Sequence, residues 1–171
     1  MLKKKSRYVM AILGATGAVG RETLEILEER KFPLESLRLF ASKRSAGGML
    51  SCQEREWMVE ELTADSSFAG VDLALISATD AISREYGQRL AAAGVLVIDD
   101  SGVFRMDVDV PLVVPEVNAQ ALQSIPRGIV SIPNCTTTPL VMALKPLHSV
   151  AGVKRAVVTT FQSVSGTGSA A

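Results

Sequence analysis

The sequence predicts an α/β protein whose core is a parallel, doubly wound sheet. Apolar runs rich in β-forming residues alternate along the chain with longer segments that place apolar residues at helical spacing. A glycine-rich turn at residues 14–20 joins the first apolar run to the first helical segment. Polar residues follow several later runs, at the strand ends where open parallel sheets bind their ligands. These observations place a candidate ligand site at one edge of the sheet.

Each element follows from its local pattern. The first strand is the apolar run of residues 8–13, and the first helix, residues 21–30, carries one apolar face among charges. Pro33 ends that helix, and Gly94 ends the second one. Residues 106–126 are rich in Pro and Val and are expected to cross the surface irregularly. The remaining predicted strands are residues 37–41, 57–62 (after a loop at 45–48), 71–77, 95–98 and 129–132, and the second helix covers residues 81–93.

Composition restricts the classes of function. The 171 residues include 18 Lys and Arg against 18 Asp and Glu, and this balance argues against a broad nucleic-acid surface. No apolar run is long enough to cross a bilayer, so we expect no membrane partner. The two cysteines, Cys52 and Cys135, are too few for a disulfide framework or a metal cluster. We therefore expect no metal and a reducing cytoplasm.

The glycine-rich turn is a candidate nucleotide loop. Gly14, Gly17 and Gly20 are spaced three and three, a variant of the dinucleotide fingerprint. Such a turn allows close backbone approach to a pyrophosphate and points free amides of a helix start at the anion. The alternative is a merely tight strand-to-helix turn, but the position between a strand and an amphipathic helix favours nucleotide binding.

The end of the second strand indicates which nucleotide binds. An NAD site usually has Asp or Glu about 20 residues past the glycine loop, to bind the ribose 2′-hydroxyl. Here Ser42, Lys43, Arg44 and Ser45 follow the strand instead. A guanidinium and hydroxyls suit a 2′-phosphate, so we expect NADP(H). The alternative is a solvated basic turn.

Cys135 lies between a predicted strand end and the apolar run of residues 140–147. If that run is a helix, the cysteine lies near its N-terminus, where the helix dipole and free amides favour thiolate. Thiolate is the nucleophile of acyl transfer. The alternative is a small buried apolar residue, which is also our interpretation of Cys52.

His148, the single histidine, lies too far along the predicted helix to pair with this thiol. A continuous helix would separate His148 from Cys135 by about 19 Å along its axis, whereas a thiol–imidazole pair needs about 3 Å. We therefore expect a surface histidine near a helix end, and a general base outside this sequence.

Several motifs together resemble the aspartate-β-semialdehyde dehydrogenase family, from Tyr8 to the end of the sequence. They occur in the family's order: Gly14-Ala15-Thr16-Gly17-Ala18-Val19-Gly20, Ala41-Ser42-Lys43-Arg44-Ser45-Ala46-Gly47, Phe104-Arg105-Met106-Asp107, Val113-Val114-Pro115-Glu116-Val117-Asn118, Pro133-Asn134-Cys135-Thr136-Thr137 and Gln162-Ser163-Val164-Ser165-Gly166. The resemblance implies a Rossmann-like NADP-binding domain over residues 1–134. It also implies the truncated start of an α+β catalytic and dimerisation domain over residues 135–171, and a homodimer or homotetramer in the complete protein.

The resemblance also implies roles for individual residues. The pyrophosphate of NADP would lie on Gly14, Thr16, Gly17, Ala18 and Val19, and its 2′-phosphate on Arg44 and Ser45. Arg105 and Asn134 would bind the substrate phosphate, Cys135 would be the nucleophile, Gln162 would orient the acyl group, and Ser165-Gly166 would approach the nicotinamide. Other roles stay open: an Arg105–Asp107 ion pair, a turn at Asn134, a plain strand polar group at Gln162 and a simple loop at Ser165-Gly166.

The implied reaction is the NADPH-dependent reductive dephosphorylation of L-aspartyl-4-phosphate to L-aspartate-4-semialdehyde through a cysteine thioester. This step belongs to lysine (through diaminopimelate), methionine and threonine biosynthesis. The resemblance places the acid–base histidine, and the arginine for the substrate carboxylate, on a later segment that this sequence lacks. We therefore expect the 171 residues alone to be inactive.

Two other functions are alternatives to this one. N-acetyl-γ-glutamyl-phosphate reductases perform the same chemistry, but their cysteine follows a glycine and precedes an aromatic residue, which Asn134-Cys135-Thr136 fits poorly. A non-catalytic nucleotide-binding paralogue is the second alternative. The presence of Cys135, Gln162 and Arg105 argues against it.

Overall fold

The computed structural model describes residues 4–162 as a seven-stranded sheet with helices on both faces. The strands are β1 (Tyr8–Leu13), β2 (Leu34–Ala41), β3 (Met49–Cys52), β4 (Arg55–Glu61), β5 (Leu73–Ile76), β6 (Leu96–Asp99) and β7 (Ile129–Ser131). The helices are α1 (Ala18–Glu29), α2 (Asp80–Ala92), α3 (Pro115–Asn118) and α4 (Thr137–Ala151), with a 3-10 turn at Ala119–Gln123.

The order of strands across the sheet is β3-β4-β2-β1-β5-β6-β7. The pairs β1–β2, β2–β4, β1–β5, β5–β6 and β6–β7 are parallel, and only the β3–β4 pair of this sheet is antiparallel. The chain therefore builds outward from β1 in one direction and then returns to build outward in the other. This arrangement confirms the predicted doubly wound fold, with its switch of direction between β1 and β5.

The main departure from the prediction is a β-hairpin at one edge of the sheet. The strand predicted at residues 57–62 begins at Arg55, and it pairs with β3, which the sequence did not predict. Both turn residues, Gln53 and Glu54, have positive φ angles, of 52° and 58°. That geometry is typical of a type I′ hairpin turn, which usually contains Asn or Gly. Without those residues, the sequence carries no hairpin signal at this point.

Smaller differences concern element ends. Helix α1 begins at Ala18, inside the glycine-rich turn, and it ends at Glu29, ahead of Pro33. The stretch predicted as irregular, residues 106–126, contains α3 and the 3-10 turn. Pro115 opens α3, where a missing backbone N–H costs nothing.

Alternate residues of β1 supply two separate hydrophobic layers. Ala11 and Leu13 pack on the face covered by α2, and Met10 and Ile12 pack on the face covered by α1. All four are almost completely buried. Burial on both faces explains why β1 is a continuous apolar run rather than an alternating one.

Helix α4 differs from the other long helices because none of its residues is buried. It runs unbroken through Pro146 and ends at Gly152, whose φ of 67° is left-handed. Among the described residues, no helix is both long and apolar enough to cross a membrane.

Gly87 on α2 lies against the core. A Cβ added at this position would come within 2.9 Å of the ring of Phe104, a side chain that is only 2% exposed. The close approach lets the segment that follows β6 fold under α2. That segment carries Arg105, so this contact affects the candidate site.

We predict that Gly87→Ala destabilises the protein, although alanine is the better helix former by about 1 kcal/mol. Overpacking against Phe104 should lower the free energy of unfolding by about 1–3 kcal/mol, measured by urea denaturation. Gly102→Ala is the matched control, since an added Cβ there meets no heavy atom within 4 Å. Equal stability of the two variants would contradict the packing role of Gly87.

Candidate active site

Backbone packing alone requires glycine at two positions of the glycine-rich turn, Gly14 and Gly20. Gly14 has a φ of 89°, and a Cβ on it would lie 2.0 Å from the carbonyl oxygen of Ser77. A Cβ on Gly20 would lie 2.5 Å from the carbonyl oxygen of Gly14. The turn therefore packs its backbone against the backbone of the segment after β5. This contact lies between β1 and β5, where the order of strand addition reverses.

The start of α1 forms an open cradle of amides. Gly17 is the N-cap, is exposed and has no side chain to cap the helix, and its own amide donates to the carbonyl of Gly14 at 3.0 Å. The amides of residues 18–20 have no acceptor within the helix. No acidic residue occupies the first turn. A group with the charge and size of a pyrophosphate fits this position.

The turn after β2 presents its basic residues to solvent. Ser42, Lys43 and Arg44 are exposed and Ser45 is half-buried. The Ser45 amide donates to the Ser42 carbonyl at 2.9 Å, which fixes the turn. Within the described part of the chain Arg44 forms no ion pair. Its guanidinium is therefore available to an anion.

Two adjacent carboxyl groups lie at the carboxyl end of β6, because Asp99 is the last residue of the strand and Asp100 follows it. The Asp99 carboxylate accepts hydrogen bonds from the Ser101 amide at 3.1 Å and the Ser101 hydroxyl at 2.5 Å. The Asp100 carboxylate accepts one from the Ser77 hydroxyl at 2.7 Å. Burial raises the pKa of Asp100, the Ser77 hydrogen bond opposes that rise, and the neighbouring Asp99 adds to it.

Arg105 ties together the segments that leave β6 and β7. Its Nε donates to the Ile132 carbonyl at 2.9 Å, and one terminal nitrogen donates to the Asp100 carbonyl at 2.7 Å. The alternative pairing of Arg105 with Asp107 is wrong, because Asp107 pairs with Arg127. The second terminal nitrogen of the Arg105 guanidinium makes no hydrogen bond within the described residues, so this group retains N–H donors for a ligand.

Asn134 and Cys135 form the entry to α4. The Asn134 side-chain oxygen accepts from the Thr136 amide at 3.0 Å and from its hydroxyl at 2.8 Å. The Asn134 carbonyl accepts from the Thr137 amide at 2.8 Å. Cys135 is exposed, with its Sγ 3.8 Å from the Asn134 side-chain oxygen. The turn role of Asn134 is therefore present, and the predicted position of Cys135 beside a helix start is confirmed.

The remaining residues that the sequence singled out do not lie with Arg105, Asn134 and Cys135 among the described residues. His148 is exposed near the end of α4, as expected. Gln162 is exposed in a segment without regular structure, so it is not a strand residue, and it makes no hydrogen bond to the site within residues 4–162. Ser165 and Gly166 lie outside the described residues. Cys52 is fully buried, its thiol donates to the Leu24 carbonyl at 3.6 Å, and burial raises its pKa, as suits a core residue.

The connection between the glycine-rich turn and the segment of Cys135 could not be predicted from the sequence. Ser77 contacts Gly14 through its carbonyl and Asp100 through its hydroxyl. The Asp100 backbone carbonyl accepts a hydrogen bond from the Arg105 guanidinium, which also donates one to the Ile132 carbonyl. Arg21, whose Nε donates to the Thr16 carbonyl at 3.3 Å, was also missed. The sequence shows polar residues after β5 and β6, but their pairing depends on strand order, which the sequence does not display.

A doubly wound sheet with an amide cradle at its switch point is the architecture of dinucleotide-binding domains. Comparison with known proteins makes this more specific. Residues 9–125 match the family model described as "Semialdehyde dehydrogenase, NAD binding domain". The chain belongs to the semialdehyde dehydrogenase family.

Named relatives agree with the family. The chain is 50% identical to aspartate-semialdehyde dehydrogenase of Aquifex aeolicus over 165 residues, which are 96% of this chain and 48% of that protein. It is 47% identical to the enzyme of that name from Synechocystis over 162 residues, which are 95% of this chain and 47% of that protein. The chain thus spans about half the length of the curated relatives it matches.

Solved structures agree as well. Aspartate-semialdehyde dehydrogenase II from Vibrio cholerae, complexed with ASA, matches with a TM-score of 0.83 and 41% identity, over 86% of this chain and 49% of that one. The Candida albicans enzyme with NADP matches with a TM-score of 0.71 and 29% identity, over 86% of this chain and 48% of that one.

Gly17 and Gly20 provide a test that separates ligand approach from packing. We expect Gly17→Ala to weaken NADPH binding about tenfold with little change in melting temperature, because its Cβ would project from the exposed cradle and meets only the Gly14 carbonyl oxygen, at 3.3 Å. Gly20→Ala should lower the melting temperature, since its Cβ clashes with backbone. Fluorescence titration and thermal melts measure both. Full NADPH affinity in a stable Gly17→Ala variant would contradict the cradle.

Proposed function

We propose that this chain supplies the nucleotide-binding domain and the nucleophile segment of an NADP-dependent aspartate-semialdehyde dehydrogenase. The proposed reaction converts L-aspartyl-4-phosphate to L-aspartate-4-semialdehyde and releases phosphate. One observation carries the proposal: Arg105 bonds the Ile132 carbonyl, three positions before the exposed Cys135, at the same edge of the sheet as the glycine-rich turn. The named relatives support the choice of substrate.

The nucleotide would lie across the carboxyl edge. In the proposal the free amides of residues 18–20, at the start of α1, hold the pyrophosphate, and the helix start offsets its charge. Arg44 and Ser45 hold the 2′-phosphate of NADP at the end of β2. Arg44, which is exposed and forms no ion pair with any residue of the range 4–162, supports this preference, because a guanidinium gains little from the uncharged 2′-hydroxyl of NAD.

Cys135 would carry the acyl group. Its thiolate attacks the acyl phosphate carbon, the carbon–oxygen bond to phosphate breaks, and a thioester forms on Sγ. Arg105, with Asn134 nearby, binds the phosphate and stabilises the charge on the leaving group. When bound, NADPH supplies the hydride that reduces the thioester. The hemithioacetal oxyanion left on Cys135 would then break its carbon–sulfur bond, which gives the aldehyde and returns the Cys135 thiolate.

The other proposed roles concern the second half of the enzyme. Gln162 would orient the acyl group, and Ser165-Gly166 would approach the nicotinamide. We place the domain boundary at residue 134, with residues 135–171 belonging to a catalytic and dimerisation domain. The lack of any buried residue in α4 supports this boundary, because a helix of one compact domain buries one face. We further propose a homodimer or homotetramer in the cytoplasm, acting in lysine, methionine and threonine biosynthesis.

The 171 residues alone should not turn over substrate. The single histidine lies on exposed α4, at the far end from Cys135. General acid–base catalysis requires a titrating group within hydrogen-bond reach of the reacting atoms. The proposal therefore assigns that group to sequence outside this chain, and activity is expected only of the full-length protein.

Replacement of the proposed nucleophile tests the chemistry. We expect Cys135→Ser to reduce phosphate-dependent oxidation of aspartate semialdehyde by at least about 10³-fold, without loss of NADPH affinity or thermal stability, since Cys135 is exposed. Cys52→Ala, which removes the buried thiol, should keep kcat. Assays on N-acetyl-γ-glutamyl phosphate run in parallel, and a preference for that substrate would contradict the proposed specificity, as activity in Cys135→Ser would contradict the nucleophile.

Arg44 tests the nucleotide preference. A charge-assisted hydrogen bond contributes about 1.5–3 kcal/mol, so Arg44→Ala should raise the Kd for NADPH about tenfold or more. The Kd for NADH should not change, because NADH has no 2′-phosphate. Arg84→Ala, which removes an exposed guanidinium from α2, serves as the control. Equal losses for both nucleotides would show that Arg44 acts on something other than the 2′-phosphate.

A further inference from the structure

Asp100 brings a negative charge to the proposed anion site. Its backbone carbonyl accepts a hydrogen bond from Arg105, and its carboxylate accepts one from Ser77. The residue that positions the cationic side chain therefore also carries a half-buried group of the opposite sign. A site built only to hold phosphate tightly would not need this carboxylate.

Among residues 4–162, three groups act on the Asp100 carboxyl, from Ser77, Asp99 and Arg105. Ser77, from the segment after β5, donates to it at 2.7 Å. Asp99 and Arg105 act on it electrostatically, the first raising and the second lowering its pKa, while burial is the largest cause of the overall rise. The Asp99 carboxylate is itself turned towards Ser101. No cation other than Arg105 contributes to its charge balance among the described residues.

We propose that Asp100 is a positioning residue that limits the affinity of Arg105 for phosphate and takes up a proton when phosphate binds. The proposal rests on the proposed function, because it takes Arg105 as the phosphate ligand. In the reaction, phosphate must leave after the acyl transfer, and a guanidinium with no opposing carboxylate would retain it longer.

The direction of both effects follows from charge. Phosphate placed on the Arg105 guanidinium repels the Asp100 carboxylate, so its binding is weakened while Asp100 is ionised. The same repulsion favours the protonated form of Asp100 in the complex. Since burial already raises the pKa of this group, a proton is taken up at a higher pH than an exposed aspartate would allow.

The test measures inorganic phosphate binding to the full-length protein by calorimetry, between pH 8 and pH 5, in buffers of different ionisation enthalpy. We expect Asp100→Asn to bind phosphate about three- to tenfold more tightly at pH 8. The gain should shrink as the pH falls and the wild-type carboxyl becomes protonated. The wild type should also take up more protons than Asp100→Asn, and phosphate's own titration cancels in that difference.

Two further variants sharpen the test. Ser77→Ala removes the hydrogen bond that opposes the pKa rise, so its phosphate affinity should begin to increase at a higher pH than that of the wild type. Asp65→Asn changes the net charge equally at an exposed residue outside the site, and it should leave phosphate binding unchanged. A purely structural role for Asp100 predicts weaker binding in Asp100→Asn, which is the opposite sign.

The outcomes are distinguishable. If Arg105→Lys binds phosphate as tightly as the wild type does, the anion site of the proposed function is wrong, and this inference falls with it. If binding depends on Arg105 but Asp100→Asn shows no gain, or shows the same proton uptake as the wild type, the inference alone is overturned.

Discussion

Parallel pairing is the constraint on which the rest of this structure depends. Five parallel strand pairs bring the carboxyl ends of β1, β2, β5, β6 and β7 to one edge of the sheet. The segments that follow these strands are distant in sequence, but at this edge they become neighbours. The contact between Gly14 and the Ser77 carbonyl, with no space for a side chain, fixes the point where the sheet changes direction. The glycine-rich turn and the segment that carries Cys135 lie at the same edge of the sheet because of this geometry.

Much of this arrangement could be predicted from the sequence, since local patterns specify it. The apolar run of β1, the glycine-rich turn and the position of Cys135 before an apolar helix are all properties of adjacent residues. The hairpin of β3 and β4 was missed because its turn, Gln53-Glu54, lacks the usual residues. The hydrogen bonds from Ser77 to Asp100 and from Arg105 to Ile132 could not be predicted, because they join segments whose proximity is decided by strand order.

Arg105 links structural and chemical roles. Its bonds to the Asp100 and Ile132 carbonyls hold the segments after β6 and β7 in register, and its remaining donors stay available. A side chain held by two backbone acceptors loses little conformational freedom when it binds an anion. The guanidinium is therefore preorganised, and less binding free energy is lost to ordering it. In our proposals the same guanidinium binds the phosphate of the substrate, and Asp100 keeps that binding reversible. Family membership, established over residues 9–125, places this edge in a nucleotide-binding domain.

The central claim is that Cys135 forms a covalent bond to the acyl group of the substrate before reduction. Mass spectrometry of the full-length protein, mixed rapidly with L-aspartyl-4-phosphate in the absence of NADPH and quenched in acid, tests it directly. The account predicts one aspartyl adduct per chain, on the peptide that contains Cys135, which disappears when NADPH is added. Release of phosphate without any adduct on that peptide, or an adduct that NADPH does not discharge, would contradict the account.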